Sequence, residues 1–381
     1  MLALLAWLAS ASNDAIDHAL HYYTGHPDVA EFNAVTGRPV QPGLLPPGTG
    51  LIDALDLALY ANHSHASSFL EYASAYQIGA DASVSTFETY IRIVGGLLGA
   101  HDLTCDRRLV DAAVSVAGKH AYHCAAPWSA PSPVLSCPEA LEPAFADGPI
   151  PYPRVNLASA KGENMPWFPT GCTTLADAGT IFFELDWLGK RSGIQKFSDR
   201  ARLIVTTLGA HASVRIGTGD PCSLAKNRPG VGSDSWFEML IKTGLRPELT
   251  DAFARQVEWG SLNPTRRGGH LLCFWPGLMS DHLASFAPSL RHHCIDMATR
   301  GCHVFPEAAE MMFHLSIDTE NARRAFETCR KQFGYGDPEQ HSWIAAETIK
   351  YLYGMVHPGG VVSTEGHVRL DGKCELRCDV D

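Results

Sequence analysis

The stretch Ser83-Val84-Ser85-Thr86-Phe87-Glu88-Thr89-Tyr90-Ile91-Arg92-Ile93-Val94-Gly95-Gly96-Leu97-Leu98 decides how the chain is read. Ser85, followed three positions later by Glu88, is a capping signature: a hydroxyl and a carboxylate that satisfy unpaired amides of a first helical turn. Apolar residues then recur at helical spacing and predict a helix over 86–101. Glu88 and Arg92 stand four apart on one face of it, a spacing that usually makes a surface ion pair.

The same periodicity appears near 51–60, 66–78, 107–122, 174–190, 197–211, 234–243, 271–286, 288–299, 306–315, 320–333 and 342–356, while alternating strands are few. Proline and glycine gather between these segments, notably in 39–50, 127–153, 161–171 and 217–232. Further helix starts are marked by Thr174-x-x-Asp177, Ser235-x-x-Glu238 and Pro306 followed by Glu307. No compositional break and no fixed-length repeat divides the chain, which favours one all-helical domain, with paired helices closed into a ring.

The 381 residues are 45% hydrophobic and 19% charged, enough to bury a large core, so disorder and coiled coil are excluded for the bulk of the chain. Thirty basic against 41 acidic side chains give a net charge of −11 without a basic run, which argues against nucleic acid as a partner. Leu2 to Ala9 is apolar and ends in small residues, so 1–12 reads as a signal peptide or as a first helix. It is too short to span a bilayer. Eleven cysteines include no C-x-x-C pair, which disfavours structural zinc and is compatible with an oxidising compartment. Their odd number leaves at least one thiol unpaired, a handle for a thiol–disulfide oxidoreductase partner.

Common catalytic motifs are absent: no G-x-S-x-G, no H-E-x-x-H and no G-x-x-x-x-G-K-[ST]. What remains is a set of carboxylates at helix beginnings, namely Glu88, Asp234, Glu238, Glu307, Glu310 and Glu347. Spacing alone reads each as a cap, because helix N-termini carry unpaired amides and a positive dipole end. The sharper alternative is that several helix ends converge on one pocket, where carboxylates act as acid and base around a sugar.

Family wording supports the sharper alternative. Leu51-Ile52-Asp53-Ala54-Leu55-Asp56 and the 83–98 string resemble the opening of the class I α-mannosidases, glycoside hydrolase family 47. The likeness continues in order through Tyr152-Pro153-Arg154-Val155-Asn156-Leu157, Ala178-Gly179-Thr180 leading to Glu184, and Gly230 to Glu238. It runs on through Cys273-Phe274-Trp275-Pro276-Gly277, Pro306 to Glu310, Ala346 to Tyr353 and Ser363-Thr364-Glu365-Gly366-His367. Two of these strings, at 152–157 and 346–353, are most similar to the endoplasmic-reticulum degradation-enhancing mannosidase-like branch.

The resemblance implies an (α/α)7 barrel over residues 13–370, with 371–381 as a tail. It also implies a calcium-dependent, inverting exo-α-1,2-mannosidase in the endoplasmic-reticulum lumen, trimming high-mannose N-glycans of misfolded glycoproteins. Position by position, Glu88 falls where the family has the acid that protonates the leaving oxygen through a water, and Arg92 where a guanidinium holds that carboxylate and the sugar. Asp234 matches the second catalytic acid, and Glu307 the base that activates the attacking water. Inversion expects such carboxyl groups ~6.5–9.5 Å apart. Thr364 matches the residue whose carbonyl and hydroxyl bind Ca²⁺, and all-oxygen ligation suits that ion. Glu184, Glu238, Glu310, Glu347 and Glu365 align with acidic residues lining the sugar site, and Trp343 with an aromatic platform. Cys273 aligns with a structural disulfide position whose best partner is Cys294, with Cys302 as the alternative.

Two positions and one segment length depart from the family pattern. Phe305 replaces an arginine two places before the base, His341 replaces an acidic residue, and the chain between Glu310 and Glu347 is short for the usual helices. These leave open a barrel incomplete between 310 and 342. They also leave open a second reading, a lectin-like quality-control factor that binds mannose-rich glycans with little or no turnover.

Overall fold

A computed structural model describes residues 13, 16–33, 36–40, 43–79, 83–118, 140–166, 173–211, 232–248 and 250, with 273, 309, 339–340, 344–356, 363–364 and 367–368. The segments at 288–299 and 320–333, most of 271–286 and 306–315, the start 1–12, the tail 371–381 and nearly all of 310–342 lie outside the described residues.

Helices dominate the described chain, and they come in pairs. Helix α1 occupies residues 16–25. The apolar run at 51–60 makes two short helices, α2 (Thr49–Asp53) and α3 (Leu55–Tyr60), separated at Ala54, and α4 (Ala66–Ser74) packs on them. Helix α5 starts as Thr86–Glu88, loosens into a π-helix over Thr89–Val94, and resumes as Gly95–Thr104. Cys105, in a left-handed conformation, turns the chain into α6 (Arg107–Ala117), whose first turn is capped by Asp106. That helix stops at Ala117, five residues earlier than the periodicity suggests, where Gly118 takes φ 145°.

Helix α7 (Leu175–Gly179) leads into α8 (Phe182–Ser192), and Gly193 at φ 75° sends the chain back as α9 (Gln195–His211). So short a link makes α8 and α9 lie side by side. Arg191 joins the pairs: its Nε and Nη2 donate to the two carboxylate oxygens of Asp102 at 2.7 and 2.9 Å, a fork that fixes α8 against α5. Helix α10 (Asp234–Thr243) packs on α7, and α11 is a π-helix over Ile344–Ile349 continued as Lys350–Val356. Among the described residues, Trp187, Trp236, Tyr23 and Tyr90 are the largest side chains fully sealed in the core.

Strands are short and serve as ties. One sheet has the order β2 (Arg38–Val40), β1 (Glu31–Asn33), β6 (Glu339–Gln340), and a second the order β3 (Ser83–Ser85), β4 (Arg154–Asn156), β5 (Lys161–Glu163). A third pairs β7 (Ser363–Thr364) with β8 (His367–Val368). Strand β6 pairs with β1, so chain from the far end of the sequence returns to its beginning.

Capping follows the sequence with one correction. Ser85 Oγ accepts from Glu88 N at 3.2 Å, and Thr174 Oγ1 accepts from Asp177 N at 2.9 Å, as the capping signatures predict. Ser235 is not a cap. Helix α10 already starts at Asp234, and the Ser235 hydroxyl instead meets Thr180 Oγ1 at 2.8 Å, which ties α10 to the start of α8. A cross-helix partner for that hydroxyl outweighed the local one.

Candidate active site

Strand β3 runs directly into α5, and its pairing with β4 in the register Ser85↔Arg154 fixes where the first helical turn begins. Glu88 sits on that turn. Arg92, one turn on and inside the π-helical segment, donates from Nε to Glu88 Oε2 at 2.6 Å and from Nη1 to Asp53 Oδ2 at 2.9 Å. The four-residue spacing therefore does not make a surface pair: the Arg92 side chain is 13% exposed and Asp53 3%, against 30% for Glu88. Burial would lower the Arg92 pKa, but the negative charges of Glu88, Asp53 and Glu347 hold it well above its ordinary value. Arg92 thus joins residues from α2, α5 and α11.

The line of charges continues inward. His367 Nε2 lies 3.5 Å from Asp53 Oδ1, and its Nδ1 lies 3.5 Å from Asp56 Oδ2. Lys350 Nζ reaches Asp56 at 2.7 Å. Burial works to raise the Asp56 pKa, yet the Lys350 ammonium and the His367 ring together hold the carboxyl below its ordinary range. Exposure falls along this line from Glu88, open on one side, to Asp56, which is sealed, so Glu88 is the one of these three carboxylates that solvent reaches freely.

Asp177, on α7, adds a further acidic group near Glu88. It emerged from the sequence only as a capping residue, and its carboxylate does receive the Thr174 hydroxyl at 2.9 Å. Burial raises its pKa, and the Glu88 carboxylate adds to the rise, so two acidic groups on α5 and α7 share one neighbourhood. Asp234 opens α10, which packs on α7, and one of its oxygens accepts from Ser235 N at 3.0 Å. Glu184, on α8, is almost fully buried, and its charge adds to the raised pKa of Tyr90. Glu238 pairs with Lys242 four residues on at 2.6 Å, both side chains largely buried.

Of the residues expected at the site, Glu88 and Glu347 are both in electrostatic reach of Arg92; Asp177 is in reach of Glu88, and the helix that Asp234 opens packs on α7. Thr364 lies opposite His367 in the β7–β8 pair, at the inner end of the charge line. Glu307, Glu310, Trp343, Glu365 and Cys294 lie outside the described residues. Cys273 and Cys105 are each disulfide-bonded; the sequence singled out Cys273 and not Cys105, and the partners expected for Cys273, Cys294 or Cys302, lie outside the described residues. Asp53, Asp56, Lys350 and Asp177 were missed as site residues. Asp53 and Asp56 fall within a string that matched the family opening, which was the one available signal.

Among the described residues, no group of three or more His, Cys, Asp or Glu side chains is placed to hold a metal ion by itself, and no helix is long and apolar enough to cross a membrane. Asp53 and Asp56, the described carboxylates beside His367, are engaged by Arg92 and Lys350. A threonine at position 364 carries a carbonyl and a hydroxyl oxygen, hard donors of the kind a hard cation takes and a soft one does not.

Residues 30–258 match the model of the family described as Glycosyl hydrolase family 47. The chain is 23% identical to mannosyl-oligosaccharide 1,2-alpha-mannosidase MNS1 of Arabidopsis thaliana, with 84% of this chain and 69% of that one covered. It is 27% identical to ER degradation-enhancing alpha-mannosidase-like protein 2 of Mus musculus, covering 83% and 65%, and 24% identical to mannosyl-oligosaccharide 1,2-alpha-mannosidase IA of Sus scrofa, covering 80% and 57%. The chain therefore spans between 57% and 69% of the length of these relatives. Among solved structures it resembles an alpha-1,2-mannosidase from Trichoderma reesei, with a TM-score of 0.68 at 16% identity over 95% of this chain and 96% of that one. The fold is accordingly all-α, an (α/α)7 barrel of paired helices.

Proposed function

Because the chain belongs to glycosyl hydrolase family 47, we propose that it is an inverting exo-α-1,2-mannosidase, calcium-dependent, that trims high-mannose N-glycans of glycoproteins in the secretory pathway. The observation that carries the reading is the junction at Arg92, where carboxylates from α2, α5 and α11 meet one guanidinium whose outer partner, Glu88, stays accessible.

In this reading Glu88, oriented by the 2.6 Å bond from Arg92, delivers a proton to the leaving oxygen through a water. Asp234, at the positive end of α10, faces the charge that grows at the reacting carbon, and Glu307 takes the proton of the attacking water on the opposite face of the ring. Arg92, Glu184, Glu238, Glu310, Glu347 and Glu365 hold sugar hydroxyls, and Trp343 offers a face to a pyranose ring. Thr364 would hold Ca²⁺ through its carbonyl and hydroxyl; when bound, the ion supplies a fixed positive charge that orients mannose hydroxyls and water. The likeness to degradation-enhancing mannosidase-like proteins supports a place in quality control of misfolded glycoproteins in the endoplasmic-reticulum lumen.

Mannose release from a high-mannose glycan, with and without a calcium chelator, tests this. Release should depend on calcium and be lost in Glu307→Gln. Glycan binding without release would instead support the lectin-like reading, to which the replacement of an arginine by Phe305 points.

A further inference from the structure

His367 is held from four directions by groups remote in sequence. Its Nε2 meets the Ile91 carbonyl at 2.9 Å, inside the π-helical turn of α5, and lies 3.5 Å from Asp53. Its Nδ1 faces Asp56 at 3.5 Å, and Asp56 is itself clamped by Lys350. The Cδ2 edge of the ring lies against Gly95, where a Cβ would come within 2.7 Å of His367 Cδ2, so the absence of a side chain at 95 is what lets the imidazole in. The side chain is 2% exposed. Its Cα partner across the β7–β8 pair is Thr364.

We propose that His367 is a positioning residue whose seat between Ile91, Gly95, Asp53 and Asp56 fixes the place of Thr364, and with it the cation and sugar hydroxyls that Thr364 would hold. The inference rests on the reading of Thr364 as the cation-holding residue and adds the element that locates it. A strand of two residues, held by one short pairing, has little rigidity of its own. Neighbouring Cα atoms in such a pair are ~5 Å apart, so anchoring one side chain on three helices fixes the backbone opposite it. Arg92 and His367 share Asp53, and the same carboxylate therefore sets the acid Glu88 and the strand pair in one frame.

The test is calcium affinity, read by isothermal titration on the full chain, together with the melting temperature in chelator. Loss of an outer-shell partner that orients a metal site typically weakens affinity ~10–100-fold. His367→Gln, which keeps a donor for Ile91 and loses the second nitrogen facing Asp56, should weaken calcium binding by at least about 10-fold. Mannose release should return towards the wild-type rate at saturating calcium. Gly95→Ala, which crowds the ring without touching Thr364, should move calcium affinity in the same direction, and it serves if His367→Gln fails to fold. A lower melting temperature in chelator with unchanged calcium affinity would show His367 to be a packing residue only and would overturn the proposal. If Thr364→Val abolishes calcium binding while both other variants bind as wild type, the cation reading stands and this inference falls. If wild type binds no calcium, both fall.

Discussion

Lys350 Nζ lies 2.7 Å from the carboxylate of Asp56, across a sequence separation of 294 residues. Both side chains are almost entirely buried, 4% and 0% exposed. The pair ties the last described helix to one of the first, and ring closure in this fold passes through it together with the β1–β6 pairing.

Breaking that pair should be expensive. Lys350→Met leaves the Asp56 carboxylate buried beside an apolar chain, and loss of one partner of a buried pair costs about 3–5 kcal/mol. Chemical denaturation should show this, and the double variant Lys350→Met/Asp56→Asn should recover much of it. Equal losses in single and double variants would mean the pair contributes little to closure.

Arg92→Lys keeps the positive charge but gives up the planar fork that reaches Glu88 and Asp53 together. With Glu88 no longer held, the rate of mannose release should fall by roughly 100-fold, the scale on which a displaced catalytic group acts. The folded fraction, followed by circular dichroism, should change far less. A rate within two-fold of wild type would remove Arg92 from the site.

Acid should undo a second ion cluster in a defined window. Burial alone would raise the Glu142 pKa, but hydrogen bonds from Arg200 and Lys196 bring it down from 4.5 to about 2. A carboxyl depressed in the folded state adds stability that is complete above its unfolded value and disappears as pH falls through the folded one. The melting temperature of wild type should therefore exceed that of Glu142→Gln at pH 6, and the gap should narrow between pH 4.5 and about 2. A gap independent of pH would contradict the assignment.

Gly179→Ala places a methyl group against the Trp236 ring, two residues into the helix that Asp234 opens. Overpacking of this kind costs about 1–3 kcal/mol. Tryptophan fluorescence and the melting temperature should shift together, and mannose release should fall as α10 moves. Unchanged fluorescence would show that the ring has room to yield.

How much of this was legible in the sequence depends on the range of the interaction. Ser85 and Thr174 announced their helices because capping is a contact across three residues. Glu88 and Arg92 were placed on one face because helical spacing is local as well. Spacing could not show that Arg92 turns inward to Asp53, because that contact depends on where α2 packs, 39 residues away. Ser235 was misread for the same reason: its partner, Thr180, lies on another part of the chain. The π-helical turns at Thr89–Val94 and Ile344–Ile349 are single-residue adjustments to helical spacing, and they fall where the proposed site residues Arg92 and Glu347 sit. Such turns recur at functional sites in proteins generally. The expectation that helix ends converge came from family wording, because periodicity carries no information about contacts between distant segments.

The anomeric form of the first sugar released is the most direct test of the proposed activity. Proton NMR of an α-1,2-linked mannobiose or high-mannose glycan, recorded before mutarotation, should show β-mannose appearing only with calcium present and not at all for Glu88→Gln, Asp234→Asn or Glu307→Gln. Release of α-mannose, or release that survives all three substitutions, would contradict the account.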